Sequence, residues 1–364
     1  MFDWESTNVN KAITNDTWIE ELQNLDEETP LALIDQFLEI PRHSERWFSQ
    51  ARVIESICSD ATLSALRTRT TKASSELAVW IDDRNTKGQP REYNGPLPLL
   101  EWVEKLKLRR FGDDDHIDAD VRRIQIPNPT SLTVGVLILS ASKYQKPVIR
   151  DLLWRHLGGH ASFQSHFGGG RFFVLEFHLP FFVWRDTQEA RKDTRQKGDG
   201  SPLRHSTNLA FLSKPDPSSG YEIKQDFLHE AQFSHVTTGC NNSMWTSCSL
   251  SDTYFYDDQE DPENPDLLAY YEDEDETCDM PTMGVFDTEY PVLDPREYHL
   301  IGLKTRLGQV ADEWDNIVAR LKYKIRSHVS TAAAALVPSL VSPLMGFYGL
   351  GGSNLICSFN HPCR

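Results

Sequence analysis

Three histidines, His156, His160 and His166, fall within eleven residues, and neutral imidazole is a ready ligand for zinc. Their spacing argues against a shared ion. Gly158-Gly159 ends the helix that would align the first two, and no Cys or carboxylate at a standard interval completes a tetrahedral set. His156 reads instead as a helix C-terminal residue facing the dipole. Gly168-Gly169-Gly170 precedes a strand-like run, whereas a phosphate cradle joins a strand to a helix N-terminus; these glycines read as a turn. Ser140-Ala-Ser-Lys143 is better placed, after an apolar run and before a helix, yet it lacks the glycines of a phosphate loop. No serine sits in a Gly-x-Ser-x-Gly elbow. The six cysteines, at 58, 240, 248, 278, 357 and 363, form no framework and read as reduced cytosolic thiols. Trp245, Trp314 and the run Phe181-Phe182-Val183-Trp184 read as packing residues rather than a ligand cage. No catalytic residue and no cofactor site emerges, so the expectation is a non-enzymatic chain.

Charge is distributed unevenly along the 364 residues. The net charge is −17, but there is no Lys or Arg between Lys224 and Arg296, and that interval holds 18 of the 54 acidic residues. Outside it, 37 basic residues meet 36 acidic ones. Clustered carboxylates attract hard cations, yet the tract over residues 257–279 lacks the ordered spacing of a calcium loop and reads as a solvated loop. The balance also speaks against nonspecific nucleic-acid binding, which needs Lys and Arg to displace phosphate counterions.

The elements that must carry these residues form an α+β chain. Residues 1–110 read as a helical N-terminal layer, with apolar faces at Leu31–Leu38, Trp47–Leu66, Leu77–Ile81 and Leu97–Leu108. Residues 111–294 read as a core domain, a mixed sheet covered by helices. Within it, Leu132–Leu139 is a continuous apolar run expected to be a strand buried on both faces. Pro147 then starts a helix that Gly158-Gly159 stops, and Arg171–Leu179 is strand-like. Arg185–Ser206 and Ser213–Gly220 read as exposed connections, while Ala231–Thr238 and Ser243–Tyr256 flank a hairpin turn at 239–242.

The clearest local signal is the last helix, expected over 295–328. Asp294 caps it, Pro295 takes the first position and Glu297 stands three residues after the cap. Leu300, Leu303, Leu307, Val310, Trp314, Ile317 and Leu321 alternate at spacings of three and four, an a/d seam expected to drive self-association. Arg320, Lys322, Lys324 and Arg326 form a basic collar suited to anionic headgroups at a membrane surface. Residues 329–364 follow as a tail uncharged up to its final Arg364, read as an altered or truncated membrane segment.

Several blocks carry a family resemblance. Arg122-Arg-Ile-Gln-Ile-Pro127, Arg150-Asp-Leu-Leu-Trp-Arg-His-Leu157, Phe177-His-Leu-Pro-Phe-Phe-Val-Trp-Arg185, Glu230-Ala-Gln-Phe-Ser234, Asp252-Thr-Tyr-Phe255, Pro295-Arg-Glu-Tyr298 and Glu313-Trp-Asp-Asn-Ile-Val318 are similar to a fungal family with a CorA-like transporter domain. The resemblance covers about Val121 to Arg326. It implies a cytoplasmic regulatory domain of a divalent-cation transporter, oligomerising through a stalk, with Mg2+ or another divalent cation implied by the resemblance alone. The Gly-Met-Asn signature of true CorA proteins is absent and no second span follows, so the chain is not expected to transport on its own. The other reading is a soluble interaction or scaffold protein whose C-terminal helix packs on its own domain. A cytoplasmic location, at a membrane face if spans belong to the full product, suits both.

Overall fold

The computed structural model describes residues 2–5, 11, 37–38, 45–58, 77–142, 144–168, 172–212, 225–256, 282 and 291–345. In chain order these form α1 (Glu45–Cys58), β1 (Leu77–Arg84), β2 (Pro90–Pro98), α2 (Leu99–Lys107), β3 (Val121–Pro127), α3 (Ser131–Ser140), α4 (Lys146–Leu157) and β4 (Ser162–Gly168). There follow β5 (Phe172–Thr187), β6 (Ser206–Asn208), a 3-10 turn (Ala210–Leu212), β7 (Gln225–Gly239), β8 (Trp245–Ser251) and α5 (Pro295–Met345). The chain is an α+β fold built on a mixed sheet, with a long C-terminal helix.

Among the described residues eight strands make the sheet, in the order β2-β1-β3-β8-β7-β5-β4 with β6 added on β7. Of the pairings among the described residues, only β3–β8 is parallel. Side chains alternate across a strand, and residue parity sorts the central strands into two faces. Ile124, Ile126, Val174, Val236, Cys248 and Leu250 point into the core shared with α1 to α4. The odd positions Phe173, Phe177, Phe181, Val183, Phe233 and Trp245 point the other way, toward Tyr298 and Leu303 of α5. Each large apolar side chain so buried contributes about 1.5–3 kcal/mol, and one face alone would leave half the sheet wet. The long helix is therefore the second cover of the sheet.

Local structure departs from the sequence reading in three places. Leu132–Leu139 is not a strand but the body of α3. Thr130 caps it through a reciprocal capping box with Thr133. The helix is buried on nearly every side, so its residues show no polar stripe to betray a 3.6 period. Leu77–Ile81 is not helical either; it opens β1, which forms a hairpin with β2 and pairs on its other edge with β3. The charged stretch Arg185–Ser206 is more than an exposed connection, because Asp193, Arg195 and Arg204 within it are buried. Three local expectations hold: Pro147 lies in the first turn of α4, Gly158 caps its end, and β7 and β8 form the hairpin around 239–242. Gly239 is required there, since a Cβ would meet the Met244 carbonyl oxygen at 2.4 Å. Most of Leu31–Leu38, residues 59–66, the connection 213–220 and the acidic tract 257–279 lie outside the described residues.

Asn128 fastens the end of β3 to the end of β8. It holds a left-handed φ of 43°, which Asn tolerates better than most residues. Its backbone N–H donates to the Ser251 carbonyl, its Oδ1 accepts from the Thr253 and Tyr254 N–H groups, and its Nδ2 donates to Thr253 Oγ1. Asn128→Ala removes the three side-chain bonds and leaves buried donors unpaired. It should lower the unfolding free energy by about 2–4 kcal/mol, with Asn128→Asp costing less because the acceptor remains; denaturant titration of both variants checks this ordering.

Candidate functional site

The long helix α5 begins as its sequence dictates. Asp294 Oδ1 accepts from the Arg296 and Glu297 N–H groups at 2.8 and 3.2 Å. Arg296 closes back on the same carboxylate at 2.6 Å while lying over the Trp4 ring. From there the predicted seam divides. Leu303 and Ile317 are 9 % and 8 % exposed. Leu303 packs among Phe177, Phe181, Phe233 and Phe255 with Val310 beside it, and Ile317 packs with Trp184 and Leu209. Leu300, Leu307, Trp314 and Leu321 are 60 %, 45 %, 46 % and 37 % exposed. The d positions of the seam thus serve the sheet, and its a positions face outward. Trp314 is no core residue; its ring meets the partly exposed Phe182 edge-on.

The outward residues belong to a second seam that the sequence reading missed. Leu300, Lys304, Leu307, Ala311, Trp314, Val318, Leu321 and Ile325 are all exposed, and they alternate at spacings of four and three. The signal was available in Val318 and Ile325, which stand four residues after Trp314 and Leu321. Relabelled as heptads, this seam puts Leu300, Leu307, Trp314 and Leu321 at d, and Lys304, Ala311, Val318 and Ile325 at a. Leucine at d, β-branched residues at a and one Lys at an a position favour a parallel two-stranded coiled coil.

Charges hold the helix at one rotation on the sheet. Arg185 reaches Glu313 with both terminal nitrogens, at 2.9 and 3.3 Å, and its guanidinium lies over Phe255 and Tyr256. Arg306, buried, covers Phe233 at 4.2 Å. Half of the basic collar turns the same way. Arg320 faces Asp186 at 3.7 Å, and Lys324 pairs with Asp226, whose other oxygen accepts from the Trp184 indole N–H. Lys322 and Arg326 remain exposed. Among the described residues no helix is long and apolar enough to cross a membrane. The helix backbone continues to Met345; residues 346–364 of the tail lie outside the described residues.

A Ser-His-Asp grouping that no motif announced lies on the opposite face of the sheet. His156 Nε2 stands 3.3 Å from Asp252 Oδ1, and Nδ1 stands 3.2 Å from Ser234 Oγ. Its chemistry is structural. All three residues are buried, and Asp252 is taken up by Arg195 Nη1 at 2.8 Å, Arg204 Nε at 2.6 Å and the Gln232 N–H at 2.8 Å. Burial raises the Asp252 carboxyl, but Arg195 and Arg204 outweigh it and hold the group well below the ordinary carboxylate range. Burial pushes His156 down to about 4, so it is neutral and is not the cation at the end of α4. Arg204 takes that place, donating to the His156 and Leu157 carbonyls.

The other two histidines of the sequence cluster go elsewhere: His160 packs on the Trp154 ring, and His166 lies exposed on β4. Among the described residues no three of His, Cys, Asp and Glu gather as metal ligands. Cys58, Cys240 and Cys248 are free, and burial pushes the Cys58 thiol up to about 12. Comparison with models of protein families, with curated proteins and with solved structures gave no match.

Buried neutral histidines make stability depend on acid. Burial lowers His156, His229 and His299 each to about 4, and His235 lies well below 6.5 from burial and the nearby His299 and Arg306. Between 6.5 and 4 the unfolded chain binds protons that the folded one refuses, so unfolding free energy falls as pH falls through that window. Each such histidine contributes a slope of about 1.4 kcal/mol per pH unit. Urea titrations from pH 7.5 to 4.5 should show a steep decline in midpoint, shallower in His156→Gln measured against its own pH 7.5 value.

Proposed function

We propose that this chain is a non-enzymatic assembly domain, a CorA-like cytoplasmic regulatory module in which α5 is both the cover of the sheet and the stalk that joins copies. The observation that carries the reading is the run of eight exposed positions from Leu300 to Ile325 at coiled-coil spacing. Exposed apolar surface of that length is costly in water unless another surface covers it, and a two-stranded coiled coil is the occupant the pattern favours. Lys322 and Arg326 supply the outward half of the collar, available to anionic headgroups at about 1 kcal/mol each. A divalent cation is the cargo of the transporter class it resembles, and no transport is assigned to this chain alone.

The second reading, a soluble scaffold with an intramolecularly packed helix, draws on a different observation. Leu303, Val310 and Ile317 already have partners in the sheet, so α5 does not need another copy to be buried on that side. Sedimentation of the intact chain separates the two. The wild type should sediment as an oligomer and Leu307→Asp with Trp314→Asp as a monomer, while unfolding free energy changes by no more than about 0.5 kcal/mol per exposed site. Ile317→Asp should instead cost several times that. A wild type that stays monomeric at tens of micromolar would remove the stalk and leave the scaffold.

A further inference from the structure

On the face of the sheet away from α5, a hollow of about 40 Å³ opens between the end of α2, the end of α3, the start of α4 and strands β3 and β8. One water needs roughly 10–15 Å³ measured this way, so the space suits about three waters or one tetrahedral oxyanion. Lys107, Arg109, Arg110 and Arg122 line it, with no carboxylate among the lining residues. Four cations around one hollow are notable in a chain of net charge −17. Two of them have partners: Arg122 donates Nε and Nη2 to Asp83, and Lys107 reaches Glu104. The other two make no direct ion pair among the described residues. Arg109 is exposed at the rim with no side-chain partner among the described residues. Arg110 is buried, yet it donates to the Ala119, Asp120 and Trp245 carbonyls and to Thr246 Oγ1 rather than to any carboxylate. Asp83 and Asp120 act on it from a distance and Arg122 opposes them, but no carboxylate accepts a hydrogen bond from it, and a buried guanidinium so placed is costly and can be offset by an anion in contact.

The neutral groups around Arg110 are arranged to donate. Thr246 Oγ1 accepts from Arg110 Nη1 at 2.6 Å and from Gln145 Nε2 at 3.0 Å. Both lone pairs are used, so its own proton is directed elsewhere. Gln145 Oε1 accepts from the Ser142 N–H, which fixes its amide with a second Nε2 hydrogen to spare. An adjoining hollow shares Arg110, Gln145 and Thr246, and Ser142 opens on it. The Ser142 hydroxyl is fully buried and has no hydrogen-bond partner among the described residues. Ser142 belongs to Ser140-Ala-Ser-Lys143, the segment whose position resembled that of a phosphate loop. The segment joins two helices rather than a strand and a helix, so side chains, not a glycine-rich backbone, would have to supply the donors.

We infer that this pair of hollows is a binding site for a small oxyanion, a phosphate group or a carboxylate on a small molecule, held by Arg109, Arg110, Thr246, Gln145 and Ser142. Arg110 and Arg122 supply charge from beneath. Arg109 closes the rim. The apolar wall of Leu106, Leu137, Ile149 and Cys248 accepts whatever carbon skeleton the anion bears.

The test is calorimetric titration of the full chain with inorganic phosphate, sulfate and acetate, each against chloride at matched ionic strength. Saturable binding of phosphate and sulfate is expected, and Arg109→Gln and Thr246→Val should each weaken it about tenfold, the worth of one charge-assisted hydrogen bond. Saturable acetate binding with the same losses supports the site with a carboxylate as its ligand. Arg110→Met removes four structural hydrogen bonds and is not relied on; Arg109 is exposed and Thr246→Val is nearly isosteric, so both variants should fold. Heats that never saturate, or that match chloride, overturn the site. So does saturable binding that Arg109→Gln, Thr246→Val and Ser142→Ala all leave unchanged.

Discussion

The Asp252 carboxylate is the interaction on which the rest of the structure depends. It sits just past β8 and joins three other pieces of chain to that point. His156 comes from the last turn of α4, Arg195 and Arg204 from the connection after β5, and the Gln232 N–H from β7. Arg195 is braced in turn by Asp193, and Arg204 by the carbonyls that end α4. An ion pair so deep gains little over a well-packed apolar cluster, but loss of one member strands the other charges without water. Its value is therefore positional. A charged connection that would otherwise have no reason to lie on the protein is drawn into one conformation, and the C-terminus of α4 is set against the sheet.

A matching arrangement secures the β1–β3 end of the sheet. Asp83 receives Arg122 and the Tyr93 hydroxyl, while Asp82 receives Arg84 and Arg123. These neighbours in β1 point to opposite faces, as successive strand residues must. Asp83 therefore serves the α1–α4 side and Asp82 the side of Tyr298, over which the Arg123 guanidinium lies. Paired acidic residues, read from sequence, look like an exposed turn. Here the pleat separates them and each neutralises a different layer.

What the sequence disclosed and what it hid follow from the range of the forces involved. The capped start of α5, the Pro147 start and Gly158 end of α4, and the β7–β8 hairpin are local, written in residues a few positions apart, and they were legible. The helical state of α3 was not. An apolar run looks alike as a buried helix or a buried strand, and the decisive capping box lies in Thr130 and Thr133, just ahead of or inside the run. The ionic contacts were illegible for a plainer reason: Asp83 and Arg122 are 39 residues apart, Arg195 and Asp252 are 57 apart. No local pattern marks them. The seam was half legible, since spacings of three and four identify an apolar stripe but not which surface will cover it.

Geometry also limits how that stripe can be used. In an α-helix consecutive residues are turned by about 100°, and each a residue of the outward seam follows a sheet-packed one directly: Lys304 after Leu303, Ala311 after Val310, Val318 after Ile317. The two seams are thus neighbours on the helix rather than opposites. A partner helix would lie along the flank of α5 instead of on its back, on the side where Trp314 meets Phe182. Such a partner would cover the exposed edge of Phe182 along with the seam, and its apolar contact would extend from the helix onto β5. Ion pairs from Arg185 and Lys324 fix the rotation of α5 in the single chain, so a partner helix would meet a surface that needs little further ordering.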